Sequence, residues 1–264
     1  MFSRLKLSAA LTLGILGFAT TAQAQSAESA AKPTIVLVHG AFADSSSWNG
    51  VIAKLLHDGY RVTAADNQLR SVHGDAAEVS AILNSINGPV VLVGHSYGGT
   101  VISEAAAGHA NVKALVYVAA FMPAAGETSL GLSGKFPGST LGGTLAPPVP
   151  VADGNQDLYI SQDKFPAQFA ADVPHDQAIL MGATQRPVTL AALSEPSKAA
   201  AWQTIPAWSI YGSADLNIPA AAHAFMADRA HARRVVVVPK ASHVVMVSHP
   251  TEVASLIEEA ARAK

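Results

Sequence analysis

Val90-Val91-Leu92-Val93-Gly94-His95-Ser96-Tyr97-Gly98-Gly99 is the stretch whose reading decides the fold. Its first four residues form a short, unbroken apolar run, as expected of a strand buried on both faces of a parallel sheet. Gly94-His95-Ser96-Tyr97-Gly98 then matches G-x-S-x-G, between that strand and a helix predicted from just after Ser96 to about Ala107. Strand, sharp turn and helix in that order are what a nucleophile elbow requires. Such a turn strains the backbone at the serine and brings strand and helix too close for side chains at either flank. Gly99 adds a third residue without a Cβ at the crossing.

Outward from this point the chain alternates. Further strands are predicted at 34–38, 61–64, 112–119, 207–211 and 234–238, with helices at about 46–56, 74–87, 219–230 and 250–263. Strands interleaved with helices imply an α/β fold with a doubly wound, mostly parallel sheet of about six strands. From about Phe121 to Ala201 the rhythm fails, through Gly131, Gly134, Gly138, Gly142, Gly143 and Pro147-Pro148-Val149-Pro150, with short helical pieces nearer 171–198. That stretch, about 122–201, reads as a cap insertion between the fifth and sixth strands. Ligands of such sheets bind outside the carboxyl ends of the strands, where the insertion can cover them.

A serine hydroxyl needs a base to remove its proton, and in this kind of sheet the partners follow in the order Ser, Asp or Glu, His. His243 is the expected base because Ala241-Ser242-His243 follows the strand at 234–238 and its Pro239-Lys240 exit. The other downstream histidines suit other places: His223 and His231 the surface of a helix, His249 a structural helix start, His175 the insertion and its pocket. Asp215, in Gly212-Ser213-Ala214-Asp215 at the end of the penultimate strand, is the expected acid, with Asp66 as the fallback. It would fix the tautomer of the base and stabilise the imidazolium. The oxyanion donors are expected to be the N–H of Tyr97, at the positive end of its helix, and that of Ala41 in His39-Gly40-Ala41-Phe42. Phe42 is the neighbour, serving as alternate donor or as substrate contact. His39 and His95 read as structural residues bonded within their turns.

His39-Gly40-Ala41-Phe42, Gly94 to Gly99, Gly212 to Asp215 with Ile218-Pro219, and Ser242-His243 together resemble the α/β-hydrolase superfamily over nearly the whole mature chain. The resemblance is strongest to its small serine esterase branch, which includes plant methylesterases and hydroxynitrile lyases. It implies cleavage of a small, apolar carboxylic ester through a Ser96 acyl-enzyme, with no metal and no cofactor. The lyases carry Thr at the position of Gly40 and Lys at that of Val244; cofactor-free perhydrolases carry Met at that of Tyr97. Lyase-like or perhydrolase activity on the same scaffold, or non-catalytic binding of an apolar ligand, are the alternatives. Phe136, Leu158, Tyr159, Phe165, Phe169, Ile179, Leu180 and Met181 of the insertion either line an apolar pocket or form the cap's own core. Lys164 and Arg186 are either substrate-carboxylate ligands or solvated charges.

The 264-residue composition bounds the rest: 50% apolar, 14% charged and no cysteine. That suits one large domain at 25–264 and removes any Cys nucleophile or thiolate metal site. Arg4 and Lys6, the apolar run Leu7–Phe18 and Ala22-Gln23-Ala24 read as a cleaved secretory leader at 1–24, so an exported, periplasmic or secreted protein is expected. The run is shorter than the roughly 20 residues of a membrane-spanning helix, so no stable membrane insertion is expected after cleavage. Losing those two basic residues takes the formal net charge from −2 to −4. With no basic patch, no nucleic-acid partner is expected; the sequence leaves the oligomeric state open.

Overall fold

The six runs richest in β-branched and aliphatic residues form one all-parallel sheet in the computed structural model, which describes residues 1–2, 32–152 and 154–263. The expected leader at 1–24 lies almost wholly outside the described residues. Nine strands occur among them: β1 (Thr34–Val38), β2 (Val62–Ala65), β3 (Val90–His95), β4 (Val112–Val118), β5 (Val149–Pro150), β6 (Gln156–Leu158), β7 (Val188–Thr189), β8 (Ala207–Gly212) and β9 (Arg234–Val238). The main sheet has the order β2-β1-β3-β4-β8-β9. The helices are α1 (Asn49–His57), α2 (Val72–Ser85), α3 (Tyr97–Ala105), α4 (Ser129–Ser133), α5 (Phe165–Phe169), α6 (His175–Thr184), α7 (Leu190–Ser194), α8 (Ala220–Arg229), α9 (Val245–Ser248) and α10 (Pro250–Arg262).

Every residue of β3 and β8 is buried, which is why these strands read as continuous apolar runs rather than as alternations. α1 packs on α10, and α2 on α3. The chain leaves β1 for β2 on one side and returns to β3 on the other. That reversal makes a switch point, and the crevice for a ligand opens at the carboxyl ends of β1 and β3. The loops carrying Ala41 and Ser96 leave from those two ends.

The insertion lies elsewhere in the strand count than expected. It leaves after β4 and returns at β8, so it joins the fourth and fifth strands of the main sheet rather than the fifth and sixth. It is also less irregular than its glycines and prolines suggest. β5, β6 and β7 form a small antiparallel sheet, and α7 packs on β6 and β7. Two- and three-residue strands leave no periodicity to read; their register comes from partners such as Leu158 and Val188, thirty positions apart in sequence. Among the described residues no helix is long and apolar enough to cross a membrane.

Candidate active site

Ser96 stands between β3 and α3 with φ +53° and ψ −122°, a conformation that L residues rarely adopt. Bonds around it hold the strain: Ser96 N–H donates to the Val118 carbonyl at 3.3 Å, and the Ser96 carbonyl accepts from Gly99 N–H at 2.9 Å and Phe121 N–H at 3.1 Å. The elbow glycines are needed for space. A Cβ on Gly98 would meet the Val38 carbonyl oxygen at 2.5 Å, and one on Gly99 the Phe121 oxygen at 2.2 Å.

The structure brings together the three residues expected from sequence. His243 Nε2 is 2.8 Å from Ser96 Oγ, and His243 Nδ1 is 2.7 Å from Asp215 Oδ2. Nδ1 faces a carboxylate and therefore carries the ring proton, leaving the Nε2 lone pair to the hydroxyl. Asp215 is 5% exposed; its Oδ1 accepts from the N–H groups of Asn217 at 2.8 Å and Ile218 at 3.0 Å. Burial by itself would raise its pKa. The charge of His243 and the hydrogen bonds from His223 and His243 outweigh burial and hold the carboxyl well below the ordinary range. The fallback acid, Asp66, is elsewhere: its side chain is 76% exposed and pairs with Arg186.

The loop after β1 separates the two donor candidates at its end. Phe42 N–H donates to the Arg186 carbonyl at 3.0 Å, so Phe42 is not the alternate donor considered from sequence. The N–H groups of Ala41 and Tyr97 have no acceptor among the described residues, and both residues line the same chamber as Ser96. Phe42 itself has φ +60° and lines two spaces. One is the chamber, about 50 Å³, which also touches Ser96 and His243. The other is a groove of about 370 Å³ between residues 43–50 and α6.

The chamber's apolar wall is made by Leu130, Leu141, Leu193, Phe121, Phe169 and Ile218. Of the insertion residues considered from sequence, Phe169 alone lines it. Phe165 is buried and stacks on Phe169 with ring centroids 4.9 Å apart, and Leu158 is buried in the cap. Leu180 and Met181 line the outer groove instead. Lys164 donates to the Gly143 carbonyl at 3.2 Å, and Arg186 pairs with Asp66, so neither cation faces the chamber. His175 is exposed at the start of α6 and does not line it either.

One of the remaining histidines, His39, is bonded within its own turn as the sequence suggests. His39 Nε2 accepts from Asn67 N–H at 3.2 Å and Nδ1 lies 3.0 Å from the Gly40 carbonyl, which fixes its turn. His95 reaches further than its own turn, with Nε2 3.2 Å from the His243 carbonyl. His231 is exposed, and His249 lies 3.5 Å from Asp172, whose other oxygen accepts from Ser242. His223 departs from expectation. It is 2% exposed rather than a surface residue, and its Nε2 is 3.1 Å from Asp215 Oδ2. It falls on the inner face of α8, a helix of under three turns whose alanines lie on every side, so the pattern does not reveal which side packs inward.

Sequence reasoning also missed the support beneath Tyr97. Its hydroxyl donates to Asp75 Oδ2 at 2.8 Å, and both residues are buried. The residue whose N–H faces the chamber is thereby tied to α2. Burial raises the Asp75 carboxyl from 3.8 to about 6. Between those values the folded protein binds more protons than the unfolded chain, so the stability from Asp75 is complete below pH 3.8 and is lost as pH rises through about 6. Asp75→Asn has no such titration. In urea unfolding at pH 4 and pH 7, the wild type should lose about 2–3 kcal/mol relative to the variant between the two conditions. An equal pH response in both proteins would show that Asp75 ionises freely.

A parallel sheet whose carboxyl end carries a strained serine, a histidine and a carboxylate in one hydrogen-bonded line defines a nucleophile-elbow enzyme. The chain belongs to the alpha/beta hydrolase family, whose model matches residues 35–256. It is 28% identical over 251 residues to the alpha/beta hydrolase nvfD of Aspergillus novofumigatus (strain IBT 16806), covering 87% of this chain and 97% of that one. Polyneuridine aldehyde esterase is similar in structure, with a TM-score of 0.74 at 18% identity over 87% of this chain and 99% of the other. A pyrethroid hydrolase from Sphingobium faniae JZ-2 has a TM-score of 0.69 at 24% identity, over 88% and 98%.

Proposed function

We propose that the chain hydrolyses small, neutral, apolar carboxylic esters through an acyl-enzyme on Ser96. The observation that carries this reading is the line Ser96–His243–Asp215, at 2.8 and 2.7 Å, opening into a chamber walled by leucine, isoleucine and phenylalanine. His243 takes the proton of Ser96 as Oγ attacks the ester carbonyl. The N–H groups of Ala41 and Tyr97 hold the oxyanion, and His243 then protonates the leaving alcohol. Water, activated by the same imidazole, releases the acid. The names of the structural relatives, an esterase and a hydrolase of pyrethroids, point the same way.

Chamber size sets the expected preference. A space of about 50 Å³ takes a short acyl group and little more. Across p-nitrophenyl acetate, butyrate and octanoate, kcat/KM should be highest for the two shorter esters and lower by at least about tenfold for octanoate, the cost of even one misfit methylene in a pocket. No release from any of the three by folded protein would overturn the reading. A lyase-like reaction finds less support. A Cβ on Gly40 would sit 2.6 Å from Ser96 Cβ, so the loop leaves no room for a threonine, and the residue after His243 is the fully buried Val244 rather than a cation.

A further inference from the structure

Asp215 receives a second imidazole that the Ser96–His243–Asp215 reading does not use. His223 Nε2 lies 3.1 Å from Oδ2, the same oxygen that accepts from His243 Nδ1 at 2.7 Å. The His223 ring is stacked on Tyr211, with centroids 4.6 Å apart and planes 15° from parallel, so its orientation is fixed by packing. Both of its ring nitrogens face acceptors, the Asp215 carboxylate and the Ala120 carbonyl. Burial lowers its pKa, so the ring is neutral and has one proton to give. The charged acceptor is the stronger of the two and takes it.

We infer that His223 is a positioning residue which, by donating to Asp215 Oδ2, divides that oxygen between two imidazoles and sets how strongly Asp215 supports His243. The inference rests on the proposed roles of Ser96, His243 and Asp215. With Oδ1 held by the Asn217 and Ile218 N–H groups, the carboxylate accepts four hydrogen bonds, and it cannot rotate without breaking several at once. A carboxylate so saturated presents less negative charge to the His243 imidazolium than one bonded to His243 alone. Removing the His223 donor should therefore strengthen the His243–Asp215 bond and make His243 harder to deprotonate.

The charged and titratable groups His95 and Asp172 beside the pair are held by contacts that do not include His223. The His95 ring centroid is 4.8 Å from that of His243, with Nε2 on the His243 carbonyl, and Asp172 reaches the neighbouring Ser242 hydroxyl. Tyr211 lies against His223 on its far face. A change in pH behaviour on substitution of His223 is then attributable to the lost donor.

Two variants separate the donor from the packing. His223→Phe keeps a ring against Tyr211 and removes the N–H; His223→Gln places an amide donor near the position of Nε2. In kcat/KM for p-nitrophenyl acetate, the acidic limb of the His223→Phe profile should move up by about half to one pH unit, with KM unchanged. His223→Gln should return the limb to that of the wild type. Equal rate losses in both variants without movement of the limb would reduce His223 to a packing residue and overturn the inference.

Should His223→Phe fail to fold, the wild type still decides. In ¹⁵N-histidine NMR at about pH 7.5, above the ordinary histidine pKa, His223 should be the neutral Nε2–H tautomer, with a slowly exchanging proton. A proton on Nδ1 instead would overturn the inference. This measurement needs no turnover: an intact Nε2–H signature with no ester hydrolysis would overturn the esterase reading and leave the His223–Asp215 bond standing.

Discussion

Ser96→Ala is expected to fold like the wild type and to lose ester hydrolysis by about a millionfold in kcat, the scale on which serine triads fail when the nucleophile is removed. The fold should survive because the substitution keeps the Cβ at the strained φ of +53° and deletes one oxygen that is bonded only to His243. The backbone bonds that hold the elbow, from Val118, Gly99 and Phe121, are untouched. What is lost is the atom proposed to form the acyl-enzyme, and among the described residues no other hydroxyl is bonded to His243 Nε2. Intact-mass analysis after exposure to a p-nitrophenyl phosphonate gives a second readout. The wild type should gain one adduct, localised to the peptide containing Ser96, and the variant none. Hydrolysis retained above a hundredth of the wild-type rate, or an adduct on another residue, would remove Ser96 from the chemistry.

Asp215→Asn is expected to lower kcat by about 10⁴, in line with a triad whose base is held in the wrong tautomer. The hydrogen-bond pattern explains why an isosteric change should cost so much. Oδ1 is committed as acceptor to the N–H groups of Asn217 and Ile218. The asparagine must therefore keep its oxygen there and put its NH₂ where Oδ2 met His243 and His223. An NH₂ can only donate, so His243 Nδ1 becomes an acceptor and its proton moves to Nε2, facing Ser96 Oγ. A protonated Nε2 cannot accept the serine proton. Stability should fall little, because His223 can likewise move its proton to the nitrogen facing the Ala120 carbonyl and accept from the same NH₂. The checks are kcat and KM on p-nitrophenyl acetate and a urea melt. Turnover within tenfold of wild type in a folded variant would exclude Asp215 as the acid.

The two residues also show how far sequence reasoning reached. Ser96 could be found because everything that makes it unusual is local: apolar strand, two flanking glycines and a helix within ten positions. Asp215 and His243 could be placed because each directly follows a strand of recognisable pattern, and parallel strands deliver their carboxyl ends to one edge of the sheet. Strand boundaries at 34–38 and 234–238 were readable for the same reason. The Tyr97–Asp75 bond and the buried face of α8 could not be read, since neither a single buried acid in α2 nor a histidine in a weakly patterned helix declares which neighbour it meets.

By itself, then, the sequence determined the layered parallel architecture, the elbow and the grouping of Ser96, Asp215 and His243, because these depend on patterns spanning a few residues and on the recurring geometry of β-α units. Only the tertiary structure decided the remainder. It moved His223 from the surface to the Asp215 carboxylate, took Phe42 N–H from the candidate donors by pairing it with the Arg186 carbonyl, and built the chamber wall from Leu130, Leu141 and Leu193 rather than from most of the cap's aromatic residues. The last two rest on contacts between segments far apart in the chain and the first on which side of α8 turns inward, and in each the choice among chemically similar partners is made by packing.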